Sequence, residues 1–238
     1  CSMGADVFLL GVVPTPAVAQ LVRRYKADAG IMISASHNPV EYNGIKIFSG
    51  EGYKLSDELE EKIEALALGR EPMPVTLEGR DVGRVRRCRN AVEDYIDALA
   101  ATVPGGLSGL RVAVDCANGA ASRTAERIFT GLGCDCQVIF SDPDGININT
   151  ECGSTHMGAL QKQVSAGGFD AGVAFDGDAD RCLACDERGR LIDGDRIMAL
   201  LASKMKSEGR LKGGVVATVM SNLGLRRYLA ALSLEMAE

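Results

Sequence analysis

Short apolar runs alternate along this chain with stretches whose apolar residues recur at helical spacing, and Gly, Pro, Asn and Ser punctuate the joins. Val7 to Val13 predicts a buried strand, which Pro14-Thr15-Pro16 turns into a helix with Pro16 at its first position. Val18, Leu21, Val22 and Tyr25 give that helix one apolar face. Ala29 to Ile33 predicts a second buried strand, ending in the small and polar cluster Ser34-Ala35-Ser36-His37-Asn38-Pro39, an exposed turn. Asn43-Gly44 then leads into another short run, Ile45 to Phe48, so strand-like pieces flank the turn. Ser56, followed by Asp57 and Glu58, predicts a helix start, with Leu59, Ile63, Leu66 and Leu68 on its apolar side. Glu71 to Arg89 reads as loop or edge structure. Asn90 with Glu93 resembles a capping box and predicts a helix to about Val103.

Pro104-Gly105-Gly106 is the best boundary in the chain. Beyond it the rhythm is regular: strand Arg111 to Asp115, helix Gly119 to Leu132, strand Asp135 to Phe140, helix from about His156 to Ala166, strand Ala171 to Phe175, strand Cys182 to Asp186 and helix Gly194 to about Lys206. Gly213 to Met220 and Asn222 to Leu232 predict one further strand and helix. Strands alternating with helices of this length imply βαβ units and a largely parallel sheet, whose ligand loops follow the strands at one edge. The fold class is therefore α/β, in successive mixed or parallel-sheet domains: 1–104, 105–190 and the start of a third at 191–238.

Composition narrows the partners. The net charge of −6 argues against nucleic acid or an anionic membrane surface as the main partner. No apolar stretch approaches the ~20 residues of a membrane span, and no secretory signal is legible. The eight cysteines are scattered, which predicts reduced thiols and a cytoplasmic protein. The chain opens almost directly on a strand and closes just after a helix, so both ends are expected to be cut from something longer.

Two loops carry chemistry. The first sets the Ser36 hydroxyl beside the His37 imidazole, with the Asn38 amide and the Lys46 amine close in sequence. A serine hydroxyl is a weak nucleophile until a base or charge activates it, and the plain alternative is a polar turn. The second is Phe175-Asp176-Gly177-Asp178-Ala179-Asp180-Arg181, three carboxylates at alternate positions after a buried strand. Like charges so close call for a cation, and all-oxygen ligation suits a hard ion such as Mg²⁺. An EF-hand is disfavoured, because Arg181 stands where that loop needs glycine and strands flank the run; a solvated acidic turn remains an alternative. Cys182 and Cys185 would point to opposite faces of a strand, so they are read as buried small hydrophobes rather than zinc ligands.

Together these loops resemble the α-D-phosphohexomutase superfamily. The matching motifs are Ser34 to Pro39, Tyr42-Asn43-Gly44-Ile45-Lys46, Asp176 to Arg181 and Asp193-Gly194-Asp195. Asp144 to Asn149 before Cys152-Gly153, and Met220 to Leu225, point to its glucosamine branch more than to phosphomannomutases. Ala179 departs from the pattern, since many relatives carry Gly there. The resemblance implies that Ser36 carries a transferable phosphate. It implies one Mg²⁺ per chain, held by Asp176, Asp178, Asp180 and an oxygen on Ser36. Lys46 is then an acid/base or charge stabiliser, Arg181 faces the phosphoserine and His37 supports the loop. The implied partner is a phosphosugar, and a homodimer of the full-length protein stays open. The implied reaction interconverts the 6- and 1-phosphates of glucosamine through a bisphosphate, with the sugar-contacting loops absent from this sequence. A phosphomannomutase or phosphoglucomutase, and a non-catalytic Mg²⁺- or sugar-phosphate-binding module, are the alternatives.

Overall fold

The computed structural model describes residues 1–237; Glu238, within the expected start of a third domain, lies outside the described residues. The first part of the chain runs β1 (Val7–Leu9), α1 (Thr15–Tyr25), β2 (Ala29–Ser34), β3 (Gly44–Ser49), α2 (Asp57–Ala67), β4 (Val85–Arg87) and α3 (Ala91–Ala100). β1 pairs in parallel with β4, and β2 pairs antiparallel with β3, Met32 opposite Lys46. The apolar faces of α1 and α3 meet in one core of Val13, Ala17, Val18, Leu21, Val22, Ala91 and Tyr95. The first strand is shorter than expected, because Gly11 takes a φ of 78° and breaks the extended backbone before Val13. Thr15 rather than Pro16 opens α1, and Asn90 precedes α3 without a side-chain cap.

The expected burial of the second strand is only half met. Gly30 is buried under Val18 and Val22 of α1, whereas Ile31 and Ile33 are 62% and 68% exposed. The hairpin has a helix on one face only, and side chains alternate between faces.

The second part contains β5 (Arg111–Asp115), a 3₁₀ turn at Ala120–Arg123, α4 (Ala125–Gly131), β6 (Asp135–Ile139), α5 (Gly158–Gly167), β7 (Ala171–Phe175), β8 (Cys182–Asp186) and β9 (Leu191–Ile192). They form one five-stranded sheet in the order β6-β5-β7-β8-β9. Along β5, Val112 and Val114 pack with Ala121, Ala125 and Cys134 on the α4 side, while Ala113 packs with Leu160 and Val164 of α5. That alternation puts one helix layer on each face of the sheet.

The sheet is mixed rather than largely parallel. β6, β5 and β7 run parallel, and β8 and β9 return antiparallel. The connection from β7 to β8 is only Asp176–Arg181. A parallel crossover needs a dozen or more residues, so this link can only reverse the chain. The expected helix from Gly119 is broken into the 3₁₀ turn and α4, because Ala120 N–H bonds the Gly177 carbonyl at 2.8 Å and ties the start of the segment to the acidic loop.

The last part holds α6 (Gly194–Ser207), β10 (Val215–Val216), α7 (Leu223–Ala231) and β11 (Met236–Ala237). Asp193 and Asn222 cap the two helices through their side chains. β10 is much shorter than the expected Gly213 to Met220. Leu225 and Leu229 pack on Ala202, while Val216, Val219 and Met220 are exposed. No helix among the described residues is long and apolar enough to cross a membrane.

Candidate functional site

The site forms where the turn after β2 meets the turn after β7. Ser36 has a left-handed backbone, with φ 54°, and its N–H bonds the Ser34 hydroxyl at 2.8 Å. Its carbonyl crosses to the acidic loop and accepts from Gly177 N–H at 3.1 Å. A Cβ on Gly177 would lie 2.5 Å from that carbonyl and 2.6 Å from Ile148 Cδ1, so the approach depends on glycine. The Ser36 hydroxyl then donates to Asp176 Oδ2 at 3.3 Å.

The three carboxylates converge as their spacing suggested, with oxygens of Asp176, Asp178 and Asp180 all within 4.8 Å of one another. Asp176 and Asp178 are fully buried. Lys46, projecting from β3, bonds Asp178 Oδ2 at 2.6 Å and Asp180 Oδ2 at 2.7 Å. Thr15, at the start of α1, adds its hydroxyl to Asp178 Oδ2 at 2.6 Å and its N–H to the Asp178 carbonyl at 2.8 Å. Arg181 N–H caps Asp176 Oδ1 at 3.1 Å, and its guanidinium stands 3.9 Å from Asp176 and 4.0 Å from Asp180.

The charges divide unevenly. Burial pushes the Asp176 carboxyl up; the Arg181 N–H opposes this, and the neighbouring Asp178 and Asp180 carboxylates add to it. Burial acts on Asp178 as well, but bonds from Lys46 and Thr15 outweigh it and hold that carboxyl below its ordinary value. Lys46 is raised: burial works against its charge, and the bonds to Asp178 and Asp180 overcome it.

The donor set fits a small hard cation. Ligand oxygens around an octahedral Mg²⁺ with bonds of about 2.1 Å lie no more than ~4.2 Å apart, and the three carboxylates bring oxygens within 4.8 Å of one another. Asp178 Oδ1 is buried without a partner and is free to ligate. The Lys46 ammonium already balances part of the negative charge that such an ion would balance.

Ser36, His37, Lys46, Asp176, Asp178, Asp180 and Arg181 sit at or beside this junction, whereas Asp193 caps α6 and Asp195 accepts from Asn222 N–H in the last part of the chain. His37 is in the serine turn, its Nδ1 buried without a partner. Two residues were missed. In the sequence Thr15 is part of a proline turn, and its hydroxyl between two prolines before an apolar face is the available signal. Asn149 stands in the sequence only as the end of the Asp144 to Asn149 motif; its side-chain amide donates to the Ser36 carbonyl at 2.8 Å and the Asn38 carbonyl at 2.9 Å. Cys182 is exposed and Cys185 buried, so the two thiols do diverge and the expectation that both are buried fails for Cys182. Cys182 ends up exposed at the end of the strand next to the acidic turn.

Family profiles described as phosphoglucomutase/phosphomannomutase, alpha/beta/alpha domains I, II and III, match residues 1–72, 93–189 and 193–238. The phosphoglucosamine mutase of Acetivibrio thermocellus is 53% identical over 226 residues, which cover 94% of this chain and 50% of that protein. That of Carboxydothermus hydrogenoformans is 52% identical over 238 residues, 100% of this chain and 54% of that protein. The chain thus spans about half the length of the curated relatives it matches. Among solved structures, a phosphoglucomutase/phosphomannomutase family protein from Burkholderia thailandensis superposes with a TM-score of 0.81 at 25% identity, over 99% of this chain and 52% of the other. The Aspergillus fumigatus N-acetylphosphoglucosamine mutase, solved with GlcNAc-6P and magnesium, shares the fold at 24% identity and a TM-score of 0.68, over 98% of this chain and 62% of that one. With all three domain profiles falling in order along it, the chain belongs to the phosphoglucomutase/phosphomannomutase family, the α-D-phosphohexomutases.

Proposed function

We propose that this chain carries the phosphoserine and metal loops of a phosphoglucosamine mutase. The whole protein would interconvert glucosamine 6-phosphate and glucosamine 1-phosphate in the cytoplasm. The observation that carries the reading is the Ser36 hydroxyl 3.3 Å from a buried carboxylate of a three-carboxylate set. The choice of glucosamine rests on relatives of that name at 52–53% identity.

Ser36 Oγ holds the phosphoryl group. In the first half-reaction the Ser36 O–P bond breaks and a sugar O–P bond forms, the sugar hydroxyl losing its proton as the serine oxygen regains one. In the second, the other phosphate of the resulting bisphosphate returns to Ser36 with the reverse proton exchange. Asp176, Asp178, Asp180 and an oxygen on Ser36 would hold one Mg²⁺, which withdraws charge from the transferring phosphoryl group. Lys46, kept as an ammonium between two carboxylates, serves as a charge stabiliser. Arg181 faces the same region from the far side of Asp176 and Asp180. His37 supports the turn. Phosphoryl transfer relies on positioning and electrostatics more than on covalent chemistry by the protein; this junction supplies the electrostatics and positions Ser36, and the groups that hold the sugar would come from the rest of the whole protein, without which this chain is expected to be inactive. We take residues 1–104 and 105–190 as the two domains that meet there, and 191–238 as the start of a third.

The test is intact mass of the full-length protein after incubation with Mg²⁺ and a hexose 1,6-bisphosphate, with turnover on glucosamine, mannose and glucose phosphates. One phosphate on Ser36, lost in Ser36→Ala, and a preference for glucosamine 6-phosphate are expected. Asp178→Asn should lower Mg²⁺ affinity at least about tenfold and leave the fold intact. A protein that never takes phosphate on Ser36 is a binding module, and the reading fails.

A further inference from the structure

We infer that Asn149 is a positioning residue for Ser36, holding the nucleophile's backbone from a third loop that neither motif includes. This rests on the phosphoserine reading above. Asn149 lies between β6 and α5, at the edge of the second sheet. It is 7% exposed and left-handed, with φ 60°. Its own N–H is tied to the Ala117 carbonyl at 2.9 Å. Ala117 in turn belongs to a turn anchored on the buried Asp115 carboxylate, which accepts from Ala117 N–H and Gly153 N–H at 2.8 Å each. The base of Asn149 is therefore fixed to the sheet edge.

Its side chain reaches across the junction. Both amide contacts of Nδ2 go to carbonyls of the serine turn, those of Ser36 and Asn38. Carbonyls only accept, so the amide orientation is settled by its partners. Asn149 Oδ1 is buried without a partner, which leaves donation as the work of this side chain. The Ser36 carbonyl also receives Gly177 N–H. One carbonyl is thus gripped by the acidic loop on one side and by Asn149 on the other. Two donors on one oxygen fix the peptide plane that follows Ser36. They hold Ser36 in its left-handed conformation, which a serine adopts only when its surroundings impose it. That conformation is what aims Oγ at Asp176. Among the described residues Asn149 hydrogen-bonds neither Oγ nor any carboxylate of the acidic loop, so it acts through the backbone of Ser36.

Other residue types fail for separate reasons. Asp sets a carboxylate against two carbonyl oxygens. Ala loses both donors and keeps the strained backbone. Gly loses both donors but accepts φ 60° without strain, so Asn149→Gly isolates the amide.

The experiment uses full-length wild type, Asn149→Gly, Asn149→Ala and Asn149→Asp. Ser36 phosphorylation by a hexose 1,6-bisphosphate at saturating Mg²⁺ is followed by intact mass. Mg²⁺ affinity is measured by calorimetry, and hydrogen exchange is read in the peptide covering residues 35–39. Asn149→Gly should slow the maximal phosphorylation rate at least tenfold, with half-saturating bisphosphate and Mg²⁺ affinity within twofold, and the serine turn should exchange faster. Asn149→Asp should be slower still. A wild-type rate in Asn149→Gly overturns the inference, and so does a fall in Mg²⁺ affinity matching the fall in rate, which would mark a general prop. If wild type takes no phosphate, the phosphoserine reading falls by itself. Exchange of residues 35–39 then decides the inference, and no change in Asn149→Gly overturns it.

Discussion

The two halves of the site are built to different standards. Asp176 and Asp178 lie in the turn after β7, a central strand of a sheet covered on both faces, and both are fully buried. Ser36 lies in the loop of a two-stranded hairpin covered on one face, with Ile31, Ile33 and Ile45 exposed on the other. The metal half is held from below by its own sheet. The nucleophile half is held from across the junction, by Gly177 N–H, Asn149 Nδ2 and the Lys46 bridges. A buried ligand set has to be rigid to keep three carboxylates together. A group that alternately gives and takes a phosphate can sit on a lighter support, provided its backbone is gripped where the metal loop can reach it.

Breaking the grip at its tightest point should have the largest effect. Gly177→Ala would bring a methyl to 2.5 Å from the Ser36 carbonyl and 2.6 Å from Ile148. Overpacking of this kind costs about 1–3 kcal/mol. The cheapest relief is for the serine turn to move away, since its hairpin is the lighter support. A shift near 1 Å lowers a positioned reaction about a hundredfold. Ser36 phosphorylation should fall by that order, while the melting temperature drops by a few degrees. A variant that unfolds the second region and spares the serine turn would reverse the ranking of the two halves.

The thiols sharpen the comparison without touching the site. Cys88 is half-buried beside the α1–α3 core, whereas Cys116, in the core that Phe175 and Ala179 pack against, and Cys152 are fully buried. Burial, with the Asp115 carboxylate nearby, pushes Cys116 to about 12 and Cys152 to about 11. At pH 8 a thiol of pKa 11 is only about one part in a thousand thiolate, the form that reacts. Alkylation mapped by peptide mass should mark exposed Cys1 and Cys182 first, then Cys88. Cys116 and Cys152 should react only as the second region opens globally. Equal rates at Cys88 and Cys152 would remove the contrast in rigidity.

Much of this was legible in the sequence because it rests on local pattern. The alternating strands and helices after Gly106 gave the α/β class, and three carboxylates at alternate positions after an apolar run gave the acidic loop. What was not legible depended on partners distant in the chain. The antiparallel return of β8 follows from a connection too short to cross over, yet the apolar run Cys182 to Asp186 carries no mark of direction. The exposure of Ile31 and Ile33 follows from a hairpin with one covering helix, while their sequence reads as a buried strand. Thr15 and Asn149 meet the site across 163 and 113 residues of chain, and neither residue type advertises such a contact.

The smallest effect concerns Ala179, where the resemblance leads to an expectation of Gly. Ala179 closes the turn that brings the carboxylates together, its N–H on the Asp176 carbonyl at 3.0 Å, and it is left-handed with φ 54°. For a residue with a Cβ that conformation costs roughly 1–2 kcal/mol. Glycine would remove the cost, but it adds backbone entropy to the unfolded chain, worth about 0.4–1 kcal/mol in the other direction. It also removes a methyl that packs, half-buried, against the core on the α4 side of the sheet. These terms nearly cancel, so Ala179→Gly should change stability by less than about 1 kcal/mol and leave Mg²⁺ affinity within about twofold. If the metal half is as rigid as its burial implies, the sheet and the Thr15, Lys46 and Arg181 contacts set the carboxylates, and the residue at 179 only fits the turn they require. A large loss of Mg²⁺ affinity in Ala179→Gly, read by calorimetry, would show that the alanine itself stiffens the ligand loop, and the metal half would then owe part of its order to strain rather than to the sheet beneath it.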